Sequence, residues 1–220
     1  MKVHGDYYAN GYAHLEGLIP QEVARAFLHR VKSDMERARL PIGGFAQNSV
    51  LMDQAAIEIS SRNYRPMLPF LWGMTPIMNQ VTGKELLPTF CYMRIYQEGD
   101  VCRVHSDRLA CEHSLSLTLA YSDDKPWELS VAKPVCEPLG RVRNDFDGEE
   151  YGSVAMQPGD AVLYQGVHHR HGRVTPNPNK WSAHMFLHWV DRDGPYADCA
   201  FDHYEDMVPD RIELNLQPAQ

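Results

Sequence analysis

His105, Ser106 and Asp107 set an imidazole and a carboxylate two residues apart, and His171 follows on a later strand-like run. Two histidines and one carboxylate on one face of a metal leave its other face open. That arrangement suits non-haem Fe(II), which needs free positions for O2 and a cosubstrate. Along a strand, residues i and i+2 point the same way, so His105 and Asp107 can share one ion. The triplet alone decides little in a chain with 11 histidines and 29 acidic residues, where a surface histidine before a turn aspartate is ordinary. His168, His169 and His171 compete for the third position; all follow Gln157-Pro158-Gly159-Asp160 and an apolar run. His171 is favoured because it opens the strand-like His-Gly-Arg-Val, and a regular element holds a ligand best; His168 is the alternative.

An acidic cosubstrate needs a cation. If the strand from Trp181 reaches back to Lys180, then Lys180, Ser182, His184 and Phe186 share a face, and a lysine beside a hydroxyl suits a buried carboxylate. Taken by itself, Lys180 reads equally as a surface lysine after a Pro-Asn turn. On Thr89–Gln97 the alternation groups Tyr92, Arg94 and Tyr96. A buried Arg94 requires a partner, either a structural carboxylate or an acidic group of a substrate. Arg108 and Glu112 flank the triplet, where a local ion pair is expected ahead of substrate contact. Cys111 is expected to pack rather than react.

These side chains need a scaffold. Val23, Phe27, Val31 and Met35 recur at four-residue steps, which predicts a helix over Pro20 to Leu40; a second is expected over Met67 to Val81. Eight short runs follow: Thr89–Gln97, Val101–Ser106, Ser114–Ser122, Trp127–Ala132, Ser153–Gln157, Ala161–Gln165, Arg170–Val174 and Trp181–Val190. Each is rich in β-branched, aromatic or apolar residues, and turn signals separate them. The predicted fold is mainly β with supporting α, a double-stranded β-helix (jelly roll, cupin-like) with N-terminal helices packed on one sheet. One domain is expected, with helical support over about 15–87, the β core over about 88–191 and a C-terminal extension over 192–220. The acidic stretch from Arg143 to Gly152 breaks the rhythm; it reads as an exposed connection, or as a lid.

Bulk properties narrow the function. The chain has 220 residues, 44% hydrophobic and 23% charged, with net charge -8. That charge argues against a nucleic-acid partner, and no run is long and apolar enough for a membrane span. The opening MKVHGDYYANGY lacks an apolar signal core, and five cysteines show no CxxC pair. A cytoplasmic location with reduced thiols is therefore expected.

Between about Phe90 and Val190 the chain resembles the Fe(II)/2-oxoglutarate-dependent dioxygenases, in particular the prolyl-4-hydroxylase-like branch. The matching features are Tyr96-Gln-Glu-Gly99, His105-Ser-Asp107, Leu117-Thr-Leu-Ala-Tyr121, Pro158-Gly-Asp-Ala161, His171 and Lys180. It is also similar to a bacterial subgroup with an extended His-x-Asp-Arg-x-x-Cys-Glu-x-Ser stretch, here His105 to Ser114. The resemblance implies Fe(II) on His105, Asp107 and His171, 2-oxoglutarate and O2 as cosubstrates, and ascorbate as a further candidate cofactor. It implies a distal carboxylate held by Lys180 and Ser182, with Tyr96 or Tyr121 close by. Lys180 stands where arginine is commoner, and Arg173, on the same strand face as His171, is the rival anchor. Halogenating relatives replace the carboxylate ligand with a small residue, so Asp107 favours hydroxylation.

The expected activity is hydroxylation of an unactivated C–H bond, with release of succinate and CO2. The substrate class is small, polar and amino-acid-like or peptidyl, with Arg94 and Arg108 as candidate substrate contacts. Two other classes stay open: a cupin-type metalloprotein (isomerase or dioxygenase) that does not use 2-oxoglutarate, and a non-catalytic sensing module on the same barrel. The sequence leaves the oligomeric state open.

Overall fold

The computed structural model describes residues 1–203. In chain order the elements are β1 Lys2–His4, α1 Tyr7–Asn10, β2 Tyr12–Glu16, α2 Gln21–Arg37, β3 Ala46–Gln47, β4 Ala56–Ser60 and α3 Met67–Thr82. They continue with β5 Leu86–Gln97, β6 Cys102–His105, β7 His113–Tyr121, β8 Leu129–Val135, β9 Tyr151–Val154, β10 Ala161–Tyr164, β11 His169–Arg173 and β12 Trp181–Asp191. The strands form two sheets. The larger runs β1-β2-β10-β7-β12-β5-β4-β3, and the smaller runs β6-β11-β8-β9.

All eight runs expected after Leu87 are strands, β5 to β12, displaced at their ends by a few residues. The larger sheet also carries four strands that sequence periodicity did not mark, β1 to β4, at its two edges. They are short, and pairing to a neighbour rather than local pattern makes them strands.

The two faces of the larger sheet are chemically opposite. On β7, Leu115, Leu117 and Leu119 belong to the main hydrophobic core, which also takes in Cys91, Met93 and Ile95 of β5 and Ala183, Met185, Leu187 and Trp189 of β12. Residues of α2 and α3, including Ala24, Val31, Met35, Met67, Leu71 and Met78, complete that core. The alternate residues are polar yet buried: Ser114, Ser116 and Thr118 on β7, and Ser182, His184 and His188 on β12. By strand alternation these point away from the helices, toward the smaller sheet. Burying hydroxyls and imidazoles costs free energy unless they are paired. A buried polar face between the two sheets thus lies behind the apolar face that packs on the helices.

Helix α2 buries Ala24, Val31 and Met35, with Phe27 and Leu28 partly covered, whereas Val23 is 46% exposed. The buried stripe therefore does not follow the four-residue spacing that starts at Val23. Steps of four advance about 40° past a full turn, so the stripe rotates off the contact line and Ala24 takes the place of Val23.

The stretch from Arg143 to Gly152 is fastened to the smaller sheet. Arg143 bridges Val104 through the backbone, Phe146 is buried and stacks on Tyr151, and Glu149 accepts from Arg170 at 2.7 Å. Glu150 pairs with Lys133, and Asp147 with Arg143. The carboxylates of Asp147, Glu149 and Glu150 are thus committed to neighbouring cations.

Among the described residues, no helix is long and apolar enough to cross a membrane.

Candidate metal centre

His105 ends β6 and Asp107 lies just beyond it, while His171 is central in β11. Antiparallel pairing sets His171 directly opposite His105, with ring centroids 4.5 Å apart. The register then shifts: Arg173 pairs with Cys102, so three steps on β6 match two on β11. This bulge reconciles two demands. Strict alternation would put His105 opposite in sense to Cys102, which lies in the inner cluster with Tyr96, Tyr121 and Trp127. The extra residue lets both Cys102 and His105 turn inward while Val104 packs outward on Ala132 and Phe146.

Asp107 completes the group. Its Oδ1 lies 3.5 Å from His105 Nε2 and its Oδ2 lies 3.5 Å from His171 Nε2. Each histidine has its other nitrogen committed: His105 Nδ1 to the Arg103 carbonyl at 2.7 Å, His171 Nδ1 to the His169 carbonyl at 3.0 Å. Donation from Nδ1 leaves the lone pair on Nε2, the state in which imidazole ligates a cation. Burial pushes the Asp107 carboxyl up, but the facing imidazoles outweigh it and hold it well below the usual carboxylate range. Burial alone would lower His171, and Asp107 reverses this and raises it.

Gly166 is a site residue that sequence reading missed. Its carbonyl accepts from the Asp107 backbone N–H at 2.8 Å. A Cβ on Gly166 would fall 2.4 Å from Asp107 Oδ2 and 2.7 Å from Ser114 Oγ. The carboxylate therefore sits in a cradle that only glycine leaves free. The available signal was its place directly after the apolar run Ala161–Gln165. Ser114 is a second: its hydroxyl lies 3.2 Å from Asp107 Oδ2 and 2.9 Å from His188 Nδ1.

The other two histidines go elsewhere. His168 contacts the Tyr196 hydroxyl at 3.3 Å, and His169 donates from Nδ1 to the Ala132 carbonyl at 2.9 Å.

Deeper in the barrel, Arg173 is 1% exposed. It donates to the Trp127 carbonyl, to Ser116 Oγ at 3.3 Å and to His184 Nδ1 at 3.3 Å, and its guanidinium lies 4.9 Å from the Trp127 ring centre. All these acceptors are neutral, and among the described residues no carboxylate pairs with it. Burial, then the adjacent Arg173, hold the His184 imidazole well below its usual range, so it is neutral. Because Nδ1 accepts from Arg173, the proton resides on Nε2, and that buried atom has no partner. Tyr96, Tyr121 and Trp127 wall this floor, each ring about 6 Å from His184. Tyr96 OH accepts from Arg94 at 3.1 Å, and Tyr121 OH donates to the Met156 carbonyl at 3.0 Å.

Lys180 does not join this floor. The strand begins at Trp181, and the Lys180 side chain is exposed while its N–H donates to Asp123. Ser182 does face inward, but its hydroxyl donates to Asn177 Oδ1 at 2.6 Å. The expectation that Lys180 and Ser182 share one inner face fails because the buried Asn177–Asn179 turn, not strand alternation, sets the direction at Lys180.

On the mouth side, a cavity of about 270 Å³ is lined by Phe90, Tyr92, Arg94, Asp107, Arg108 and His188, with Glu58 and Ser60 at its edge. Arg94 is paired with Glu58 at 2.6 and 2.9 Å, which is the structural-carboxylate alternative for this residue. The Arg108–Glu112 pair does not form. Arg108 binds Asp202 instead, and Glu112 accepts from the Asp191 N–H.

The two-sheet fold is that of solved 2-oxoglutarate- and Fe(II)-dependent oxygenases. The chain is similar to a prolyl-4-hydroxylase from Pseudomonas putida, at 15% identity and TM-score 0.57, over 86% of this chain and 96% of that one. It is similar to the epimerase SnoN in complex with Fe3+, alpha ketoglutarate and nogalamycin RO (11%, TM-score 0.64, 94% and 91%). It is also similar to EctD from S. alaskensis with bound Fe (14%, TM-score 0.55, 84% and 74%). The sequence matches no protein-family model and no curated protein.

Proposed function

We propose that this chain is an Fe(II)- and 2-oxoglutarate-dependent oxygenase that hydroxylates an unactivated C–H bond of a small polar substrate, on a barrel of jelly-roll type. The strand order supports the topology: with β5-β12-β7-β10 in one sheet and β6-β11-β8-β9 in the other, successive strands from β5 to β12 alternate between the sheets except at the β8–β9 hairpin. The observation that carries the function is Arg173, a buried guanidinium on the same strand as His171 that pairs with no anion among the described residues. An uncompensated buried charge is costly, and a cosubstrate carboxylate relieves it.

The residues fit the implied groups. His105, Asp107 and His171 would hold Fe(II), and Arg173 with His184 Nε2–H would hold the distal carboxylate of 2-oxoglutarate. Bound together, they supply oxidation of the substrate C–H bond coupled to release of succinate and CO2. The protein orients and encloses. The carbonyls of Arg103 and His169 fix both ligand imidazoles, Gly166 and Ser114 fix the Asp107 carboxylate, and Tyr96, Tyr121 and Trp127 exclude water from the anchor. Asp107 fills the position that halide chemistry would need vacant, which favours hydroxylation. A three-histidine cupin without 2-oxoglutarate would have no use for Arg173.

Anaerobic protein given Fe(II) and 2-oxoglutarate should develop a weak visible charge-transfer band, and a screen of amino acids, peptides and small metabolites should find one that stimulates succinate release. With 18O2 the product gains one labelled oxygen. Absence of 2-oxoglutarate binding to the metal-loaded protein would reject the class, and a halogenated product would reject hydroxylation.

A further inference from the structure

Arg108 lines the cavity that also takes in Asp107, and it shares the Asp202 carboxylate with Arg62. Asp202 Oδ1 accepts from Arg108 at 2.7 Å and Asp202 Oδ2 contacts Arg62 at 3.3 Å. The Asp202 side chain is 11% exposed, whereas the arginines are 47% and 66% exposed, so the acid has been drawn in between them. The Arg108 guanidinium lies over the Phe90 ring, 4.0 Å from its centre, a contact that helps hold it in place.

The segment that delivers Asp202 is strained. Phe201 and Asp202 both take left-handed backbone angles, φ 55° and 53°. A side chain with a Cβ is disfavoured there, and a phenylalanine especially so. Half-exposed ion pairs are individually weak, so the contact is one that a competing anion can replace. Besides Arg108, the cavity is lined by Phe90, Tyr92, His188 and Asp107. A small acid gripped at the rim would lay its remaining atoms along those rings toward the metal ligands.

We infer that Arg62 and Arg108 form a carboxylate subsite for the substrate, and that Asp202 is an internal stand-in for that carboxylate which the substrate displaces. The inference rests on the oxygenase reading for what happens to the substrate, but not for its binding. It narrows the substrate to a small carboxylic acid of amino-acid size, and it makes residues 197–203 a competitive plug at the mouth.

The probe is N-acetylglycine, with N-acetylglycinamide as its uncharged counterpart, titrated into the full chain and followed through the arginine side-chain N–H resonances. Repeating the titration by calorimetry with Mn(II) and 2-oxoglutarate present fills the Arg173 floor and isolates the rim. Asp202→Asn should tighten binding of the acid about five-fold, the worth of one partly exposed ion pair. The amide should not gain. Arg108→Gln in the Asp202→Asn background should remove the gain and the shifts of the Arg62 signal. A gain of affinity cannot come from misfolding, so the Asp202 variant keeps the test decisive. Equal binding of acid and amide, or affinity indifferent to Asp202→Asn, would overturn the subsite and leave Asp202 as a fastener. Failure of Mn(II) and 2-oxoglutarate to bind, with the acid still responding to Asp202, would overturn the oxygenase reading and leave the subsite standing.

Discussion

Arg173 donates to Nδ1 of His184 at 3.3 Å, and the contact fixes His184 as the tautomer whose unpartnered Nε2–H points a second donor at the barrel floor. One strong cation and one neutral donor, both buried, match the chemistry of a single carboxylate, the role proposed for them above.

Removing the cation should therefore weaken 2-oxoglutarate binding. A charged hydrogen bond contributes roughly 1.5–3 kcal/mol, so Arg173→Gln should raise the Kd by at least about ten-fold. Arg173→Lys should recover part of the loss, and Lys180→Ala should leave it unchanged. Calorimetric titration of the Mn(II)-loaded protein reads all three, and a large effect of Lys180→Ala would restore the lysine as the anchor.

Alanine at His105, Asp107 or His171 should abolish tight binding of one divalent ion, whereas His168→Ala should retain it. Metal content after dialysis separates the outcomes. Retention by His171→Ala with loss in His168→Ala would reassign the third ligand.

Gly166→Ala should weaken the metal site without altering a ligand. The added methyl would collide with the Asp107 carboxylate and the Ser114 hydroxyl, and displacing a ligand's support costs about 10–100-fold in affinity. If Mn(II) affinity is unchanged while the fold stays intact, the cradle is looser than the distances imply.

Asp191 gives a pH signature away from the metal. Hydrogen bonding from His113 and then Lys84, against an opposing burial effect, holds it at about 2. Its folded value lies below its unfolded one, so its contribution is present above about pH 4 and lost as the pH falls toward 2. Screening of a partly exposed group limits the effect to roughly 1 kcal/mol. Asp191→Asn should lower the Tm at pH 6 and make little difference near pH 2. A Tm gap that stays constant across this range would show that charge is not the cause.

Much was legible in the sequence. Turn signals between short β-rich runs located all eight core strands, because each strand carries its own alternation and its own stops. The His-x-Asp triplet and the histidine on a following strand could be paired because ligand chemistry restricts residue types as well as spacing. The edge strands β1 to β4 left no such mark, since being extended there depends on a partner supplied from far along the chain. The directions of three side chains were likewise set by distant contacts. The β6 bulge turns His105 inward only when paired with β11, the Asn177–Asn179 turn sends Lys180 to solvent, and Asp202 takes the Arg108 contact that Glu112 was expected to make. Local sequence determined the elements and the candidate ligand types. Only the packing of one sheet over the other decided which cation was buried without an anion, because burial, and with it the cost of a bare charge, is a property of the assembled barrel.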